Sequence, residues 1–273
     1  MDLLKADKRE DFRAHFSDAI GSDPLDKSFH PLGKHFAKAA KVLLANIGER
    51  LREFNSLCNA ARPSVGYAAF ATLAGSGLRE NRGDFVVTTN FDDLPETSLH
   101  YWKGSRPFVL YEPSLISYVA KLDAFTIIKI HGDHRFHPKM LESELVSIPR
   151  KLTSYCKSEM QKSAIAFIGY GGHDEGVVKM LHRVQPKGGV FWISSSPPPS
   201  DCLLSKWLAT VEDLYWIPAA NFDQAMLQLL SLTGHTQIAP PALTLSFTPR
   251  LDFLADASTL TWQDWAQRCR EWD

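Results

Sequence analysis

Phe85-Val86-Val87-Thr88-Thr89-Asn90-Phe91-Asp92-Asp93 is an apolar run that ends abruptly in polar residues, and Ile127-Ile128-Lys129-Ile130-His131-Gly132-Asp133 repeats the pattern about forty residues later. Short apolar runs bounded by turn formers read as strands buried on both faces, the habit of parallel sheets. In such sheets, polar side chains at the carboxyl ends of the strands face the crevice where ligands bind. An Asn, an Asp and a His delivered this way form a candidate active site.

Working outward, strands are predicted at Asp84–Thr88, Phe108–Tyr111, Phe125–Ile130, Ala164–Ile168, Gly189–Ser194 and Leu214–Ile217. Helices are predicted between and after them at Glu112–Lys121, Arg150–Lys162, Glu175–Val184, Ser200–Thr210 and Phe222–Leu232, lengths suited to right-handed βαβ crossovers. The expected class is α/β, a Rossmann-like doubly wound parallel sheet with a helical amino-terminal segment. In that segment Phe36, Ala40, Leu43, Leu44, Ile47, Leu51, Phe54 and Leu57 recur at spacings of three and four, the apolar face of a long amphipathic helix that serves packing. Pro63 breaks it, and Ser64–Leu73 forms a shorter apolar helix ending at Gly75-Ser76-Gly77. The domain division read from these patterns is 1–63 helical, 64–235 the α/β domain, and 236–273 a linker and tail or the start of a truncated second domain.

Composition narrows the class. The chain has 273 residues, 44% of them hydrophobic, enough to bury a substantial core. A formal net charge of −1 with mixed signs gives no electrostatic footprint of direct nucleic-acid binding. Cys58, Cys156, Cys202 and Cys269 never form a C-x-x-C pair, which argues against a local metal site and against a disulfide scaffold. No signal peptide opens the chain and no apolar run approaches the ~20 residues of a membrane span, so no membrane partner is expected and the expected location is cytoplasmic.

Singly, each motif has a plain structural explanation. Thr, Asn and Asp end strands because they start turns. His131 could be a satisfied buried histidine. Ile168-Gly169-Tyr170-Gly171-Gly172-His173-Asp174 could be an ordinary glycine turn, and Phe191-Trp192-Ile193-Ser194-Ser195 an ordinary strand end. Together, four strand ends of one sheet carrying Asn/Asp, His, Gly-Tyr-Gly and Ser would line a single crevice.

The ordered set Thr88-Thr89-Asn90-Phe91-Asp92-Asp93-Leu94, Lys129-Ile130-His131-Gly132-Asp133, Phe167-Ile168-Gly169-Tyr170 with Asp174, and Phe191-Trp192-Ile193 resembles the sirtuin-like domains of bacterial antiphage defence proteins. The likeness spans about residues 64–232, including Trp216-Ile217-Pro218 and Asn221-Phe222-Asp223. It implies an NAD-binding Rossmann domain with Asn90 and Asp92 at the nicotinamide end and His131 as the catalytic histidine. Thr88, Thr89, Gly169, Tyr170, Gly171 and Ser194 are the cofactor-binding residues by the same likeness, Gly169, Tyr170 and Ser194 approaching the adenosine half. NAD is then the substrate, hydrolysed to nicotinamide and ADP-ribose, and a homo-oligomer or a partner defence subunit is the implied assembly.

The chain departs from the pattern twice. Sirtuin deacetylases carry two Cys pairs between the catalytic His and the glycine turn, whereas that interval here contains Cys156 alone, which disfavours protein deacylation. The family also opens on a strand and a Gly-Ala-Gly-x-Ser loop whose backbone amides receive the pyrophosphate at a helix N-terminus. Nothing like it precedes residue 64. Truncation, loss of cofactor binding and a loop supplied by another chain are the three explanations, and weak NAD binding by the chain as given is the expectation. Lys129, the one basic residue within the matched motifs, is expected to point away from His131 and to offer no substitute.

Overall fold

The computed structural model describes residues 46–75, 85–104, 106–119, 125–135, 138–139, 142–145, 148–234 and 238. The first part of the predicted amphipathic helix, the stretch before it, and the predicted tail after residue 238 lie outside these residues. Among the described residues no helix is long and apolar enough to cross a membrane.

Helix α1 (Ile47–Ala60) ends where the Arg62 guanidinium donates to the carbonyls of Asn59 and Ala61 at 2.8 and 2.9 Å, satisfying carbonyls that the helix itself leaves open. Helix α2 (Val65–Gly75) is apolar around its circumference and accordingly sits in the interior, with Val65, Ala68, Ala69 and Leu73 packed on Met226 and Leu230. β1 (Phe85–Thr88) follows, then helix α3 (Leu94–Ser98), whose last turn widens into a π-helical stretch over Leu99–Lys103. This helix was not expected. Its start signals are local, Asp92 accepting from the Leu94 amide at 3.1 Å and Pro95 in the first turn.

β2 (Phe108–Leu110), α4 (Ile116–Val119), β3 (Thr126–Lys129), α5 (Glu142–Leu145) and α6 (Arg150–Gln161) come next. β4 (Ile165–Ile168), α7 (Glu175–Leu181), β5 (Val190–Ser194), α8 (Ser205–Leu208), β6 (Leu214–Pro218) and α9 (Phe222–Leu232) complete the order. Two expected helices are shorter, and the one expected over 112–121 starts later, its end lying outside the described residues. Pro113 opens a 3-10 turn over Pro113–Leu115 before α4. Helix α7 stops at Leu181, where Arg183 takes a left-handed φ of 65° and Pro186 follows. The stretch before Ser205 is closed by turn bonds from Cys202 N to Pro199 O and from Ser205 N to Cys202 O.

The architecture is the expected parallel α/β arrangement with helices on both faces, and the sheet comes in two halves of three strands, β1-β3-β2 and β4-β5-β6. Crossover handedness places the helices of the first half. The step from β1 to β2 passes over β3 through α3, and the return to β3 passes through α4, so right-handed crossovers put α3 and α4 on opposite faces. Helix α6 packs with α4 and α7, on the α4 face. β1 and β4 are each paired along one edge only among the described strands, and Ala166 in the middle of β4 is exposed.

The two halves are held together by their helices and a shared core. Leu110, Ile128 and Ile130 from the first half meet Ile165, Val190 and Trp192 from the second against Leu152, Cys156 and Met180. On the other face α2 packs on both α3 and α9. A close approach there is at Gly66, where a Cβ would come within 2.7 Å of the Asp223 backbone and 2.9 Å of the Phe222 ring. The Asp223 carboxylate accepts the Gly66 amide at 3.0 Å and the Ser64 hydroxyl, capping α2 from across the interface. Gly66→Ala is therefore expected to push α2 from α9 and to lower the unfolding free energy by about 1–3 kcal/mol. Urea denaturation measures it, and an unchanged midpoint would show that the interface gives way freely.

Candidate functional site

The site is built from strand ends. At the end of β1 the Thr88 carbonyl accepts the Ile130 amide at 3.1 Å, and the Thr88 hydroxyl accepts the Asn90 amide at 3.0 Å. That second bond is turn chemistry, as expected of a strand-end Thr. It leaves Asn90 exposed, its carboxamide without a hydrogen bond among the described residues, while Thr89 is half-buried. Asp92 spends one carboxylate oxygen on the Leu94 amide and gives its carbonyl to Lys129 Nζ at 2.6 Å.

Lys129 is the anchor of this end of the sheet. Its side chain is fully buried, and Nζ also donates to Asp133 Oδ2 at 2.7 Å. Glu96 Oε1 forms an ion pair with the same amine at 2.7 Å, and both Glu96 oxygens are buried with no further hydrogen-bond partner among the described residues. Burial accordingly pushes the Glu96 carboxyl up from its ordinary value, against the pull of Lys129. Asp133 goes the other way. Its burial opposes ionisation, yet hydrogen bonds from Arg135 and Lys129 outweigh it and hold the carboxyl at about 2. With its amine engaged by Asp92, Glu96 and Asp133, Lys129 offers nothing to a phosphate, in line with the expectation that it does not serve His131.

His131 follows β3 and is 4% exposed. Its Nε2 contacts the Asp174 Oδ2 carboxylate oxygen from the loop after β4, bringing together the two half-sheets at their carboxyl ends. The other Asp174 oxygen accepts the Val177 amide at 3.0 Å and caps α7. The neighbouring His134 is buried, and its Nδ1 pairs with Asn55 Oδ1 of α1 at 2.7 Å, so the amino-terminal helix touches the loop beside the candidate histidine. Sequence reasoning read that helix as packing only and passed over Asp174 as a site residue. An aspartate at a helix start is already explained as a cap, so no local signal marks its second role.

The remaining candidates gather elsewhere. Gly169, Tyr170, Gly171 and Ser194 line one cavity of about 260 Å³ at the ends of β4 and β5, with Trp192, Asn221 and Phe222 on its walls. Gly169 has a φ of 63° and nothing within 4 Å of where a Cβ would lie, a turn that leaves the backbone open to an approaching group. Tyr170 stacks on Phe167 at 5.7 Å and its hydroxyl is buried without a hydrogen-bond partner among the described residues, burial and the Asp174 carboxylate pushing the phenol up. The Ser194 hydroxyl turns back to the Ser196 carbonyl. Asn90, Asp92, His131 and Asp174 do not line this cavity, and the His131–Asp174 contact joins the loops that follow β3 and β4.

Among the described residues no group of three or more His, Cys, Asp or Glu is arranged to hold a metal ion. Chemically, the β1–β3 end presents oxygen acceptors and an imidazole, and the β4–β5 end an aromatic, glycine-lined recess. Residues 84–211 match the family model described as SIR2-like domain, from the residue before β1 to just past α8. No curated protein matches the chain.

Proposed function

We propose that the chain is an NAD hydrolase of the sirtuin-like type, cleaving NAD to nicotinamide and ADP-ribose and acting as the effector of a bacterial defence protein in the cytoplasm. The observation that carries the reading is the pairing of His131 with Asp174 beside the Asn90–Asp92 turn, in a segment that matches a SIR2-like domain. The pyridinium leaves as neutral nicotinamide and needs no protonation. What the site must supply is stabilisation of an oxocarbenium-like ribose, for which the Asn90 carbonyl and the Asp92 carboxylate are the oxygen acceptors, and a base for the attacking water, which is His131. The recess lined by Gly169, Tyr170, Gly171 and Ser194 takes the adenosine half, with the Thr88–Thr89 turn on the nicotinamide side. A homo-oligomer or a complex with a partner defence subunit is the proposed assembly.

A second reading, a non-catalytic interaction domain, is favoured by one specific observation. Among the described residues no strand precedes β1, so none supplies the expected opening strand and glycine-rich turn for the pyrophosphate, and β1 and β4 each have one edge unpaired. Protein deacylation is disfavoured because Cys156, the sole cysteine between His131 and Gly169, is buried. Incubation with NAD, with nicotinamide and ADP-ribose followed by chromatography, separates the readings. Hydrolysis above the buffer rate supports the enzyme. No turnover together with no NAD binding by calorimetry supports the interaction domain.

A further inference from the structure

We infer that Asp174 is the positioning residue of His131, holding it as the Nε2–H tautomer and so making Nδ1 the nitrogen that accepts the proton. This rests on the hydrolase reading for its place in a reaction, but its structural basis is independent of it. A carboxylate only accepts, so the ring nitrogen facing Asp174 carries the hydrogen. That nitrogen is Nε2, facing Oδ2. Among the described residues Nδ1 has no hydrogen-bond partner, and in the neutral ring it holds the lone pair. Asp174 cannot turn away from this duty easily, because its Oδ1 is tied to the Val177 amide at 3.0 Å as the cap of α7. The backbone of His131 is fixed as well, its carbonyl accepting the Lys139 amide at 2.7 Å.

In the proposed hydrolysis, water gives its proton to Nδ1 of His131 while its oxygen bonds to C1′ of the ribose. The bond from C1′ to the pyridinium nitrogen breaks, its electron pair staying with nicotinamide. The imidazolium that forms is stabilised by the Asp174 carboxylate and then returns its proton to solvent, so NAD and water yield ADP-ribose, nicotinamide and one proton. Asp174 touches no reacting atom and acts through the ring alone.

The experiment is nitrogen NMR of the full chain labelled at histidine, with the ring neutral at alkaline pH and His131 assigned by the His131→Gln variant. The wild type is expected as the Nε2–H tautomer. In Asp174→Asn the amide oxygen keeps the Val177 cap, since Asn caps as well as Asp. Its NH2 then faces Nε2 and donates to it, so the ring is expected to switch to Nδ1–H. Turnover of NAD should fall by about 10²–10⁴-fold with KM unchanged, the range for loss of a positioned base. Asp174→Ser, which also caps the helix but falls short of the ring, should give a mixture of tautomers and an intermediate loss, and it keeps the test open should the Asn variant fail to fold. A wild-type ring in the Nδ1–H form, or an Asn variant that stays Nε2–H, overturns the assignment whatever the activity. A switched tautomer with undiminished turnover overturns the role of Nδ1. A wild type that carries the expected tautomer but never hydrolyses NAD removes the hydrolase reading and leaves the positioning of His131 by Asp174 standing.

Discussion

Removing the imidazole of His131 should lower NAD turnover by about 10²–10⁴-fold, the usual loss for a general base. The fold should survive His131→Ala, because Asp174 keeps its bond to the Val177 amide and still caps α7. Asn90→Ala should lose turnover by about 10²–10³-fold through loss of an electrostatic stabiliser. Asn90 is exposed with no side-chain hydrogen bond among the described residues, so its truncation should change stability by no more than ~0.5 kcal/mol. The pair thus separates chemistry from folding. Both variants are assayed for nicotinamide release after circular dichroism and thermal unfolding confirm the fold. Retained turnover in a folded His131→Ala protein removes His131 from the mechanism.

The largest effect on stability should come from Lys129→Met. The methionine fills most of the volume, but it leaves Asp133 and Glu96 in the interior facing no ammonium, and the Asp92 carbonyl loses its donor at the same time. Breaking a buried ion pair by removing one partner costs about 3–5 kcal/mol, a large share of the ~5–15 kcal/mol by which a domain is stable. Part of that cost appears as pH dependence. Asp133 is held at about 2 in the folded protein, below its ordinary 3.8, so the stability it contributes is complete above pH ~4 and is lost as the pH falls towards 2. Taking away the Lys129 hydrogen bond raises the folded-state value, which removes part of the contribution above pH 4 and flattens the acid limb. Urea midpoints measured for both proteins from neutral pH down to pH ~3 test this. A Lys129→Met protein as stable as the wild type at neutral pH would mean that Arg135, which donates to both Asp133 oxygens, carries the cluster without Lys129.

Much of the fold was legible because burial leaves a local pattern. Ile127 and Ile128 are fully buried and β3 lies where its apolar run predicts, one residue shorter at each end. The runs at β1, β4 and β5 were read equally well. β6 was harder, since Leu214, Tyr215 and Trp216 look like an interior strand yet are 36%, 51% and 45% exposed at the edge of their half-sheet. Hydrophobicity says that a residue prefers burial, and only the position of its strand in the sheet says whether burial is available. Helix α3 was missed because Leu94–Ser98 is a single turn and a half, too short to show a period.

What the sequence by itself determined is the alternation of strands and helices, the polar residues at strand ends, and the likeness to sirtuin-like domains over about residues 64–232, of which 84–211 match the family model. These follow from local periodicity, turn chemistry and motif order. What only the tertiary structure decided is which distant groups meet. His131 meets Asp174 across 43 residues, Lys129 meets the Asp92 carbonyl across 37, His134 meets Asn55 across 79, and Asp223 meets Gly66 across 157. Each partner is unremarkable in its own neighbourhood, as a helix cap, a strand residue or a turn. A side chain's second partner depends on how crossovers and helix faces bring strand ends together, and that geometry is set by packing of the whole core rather than by any stretch of chain.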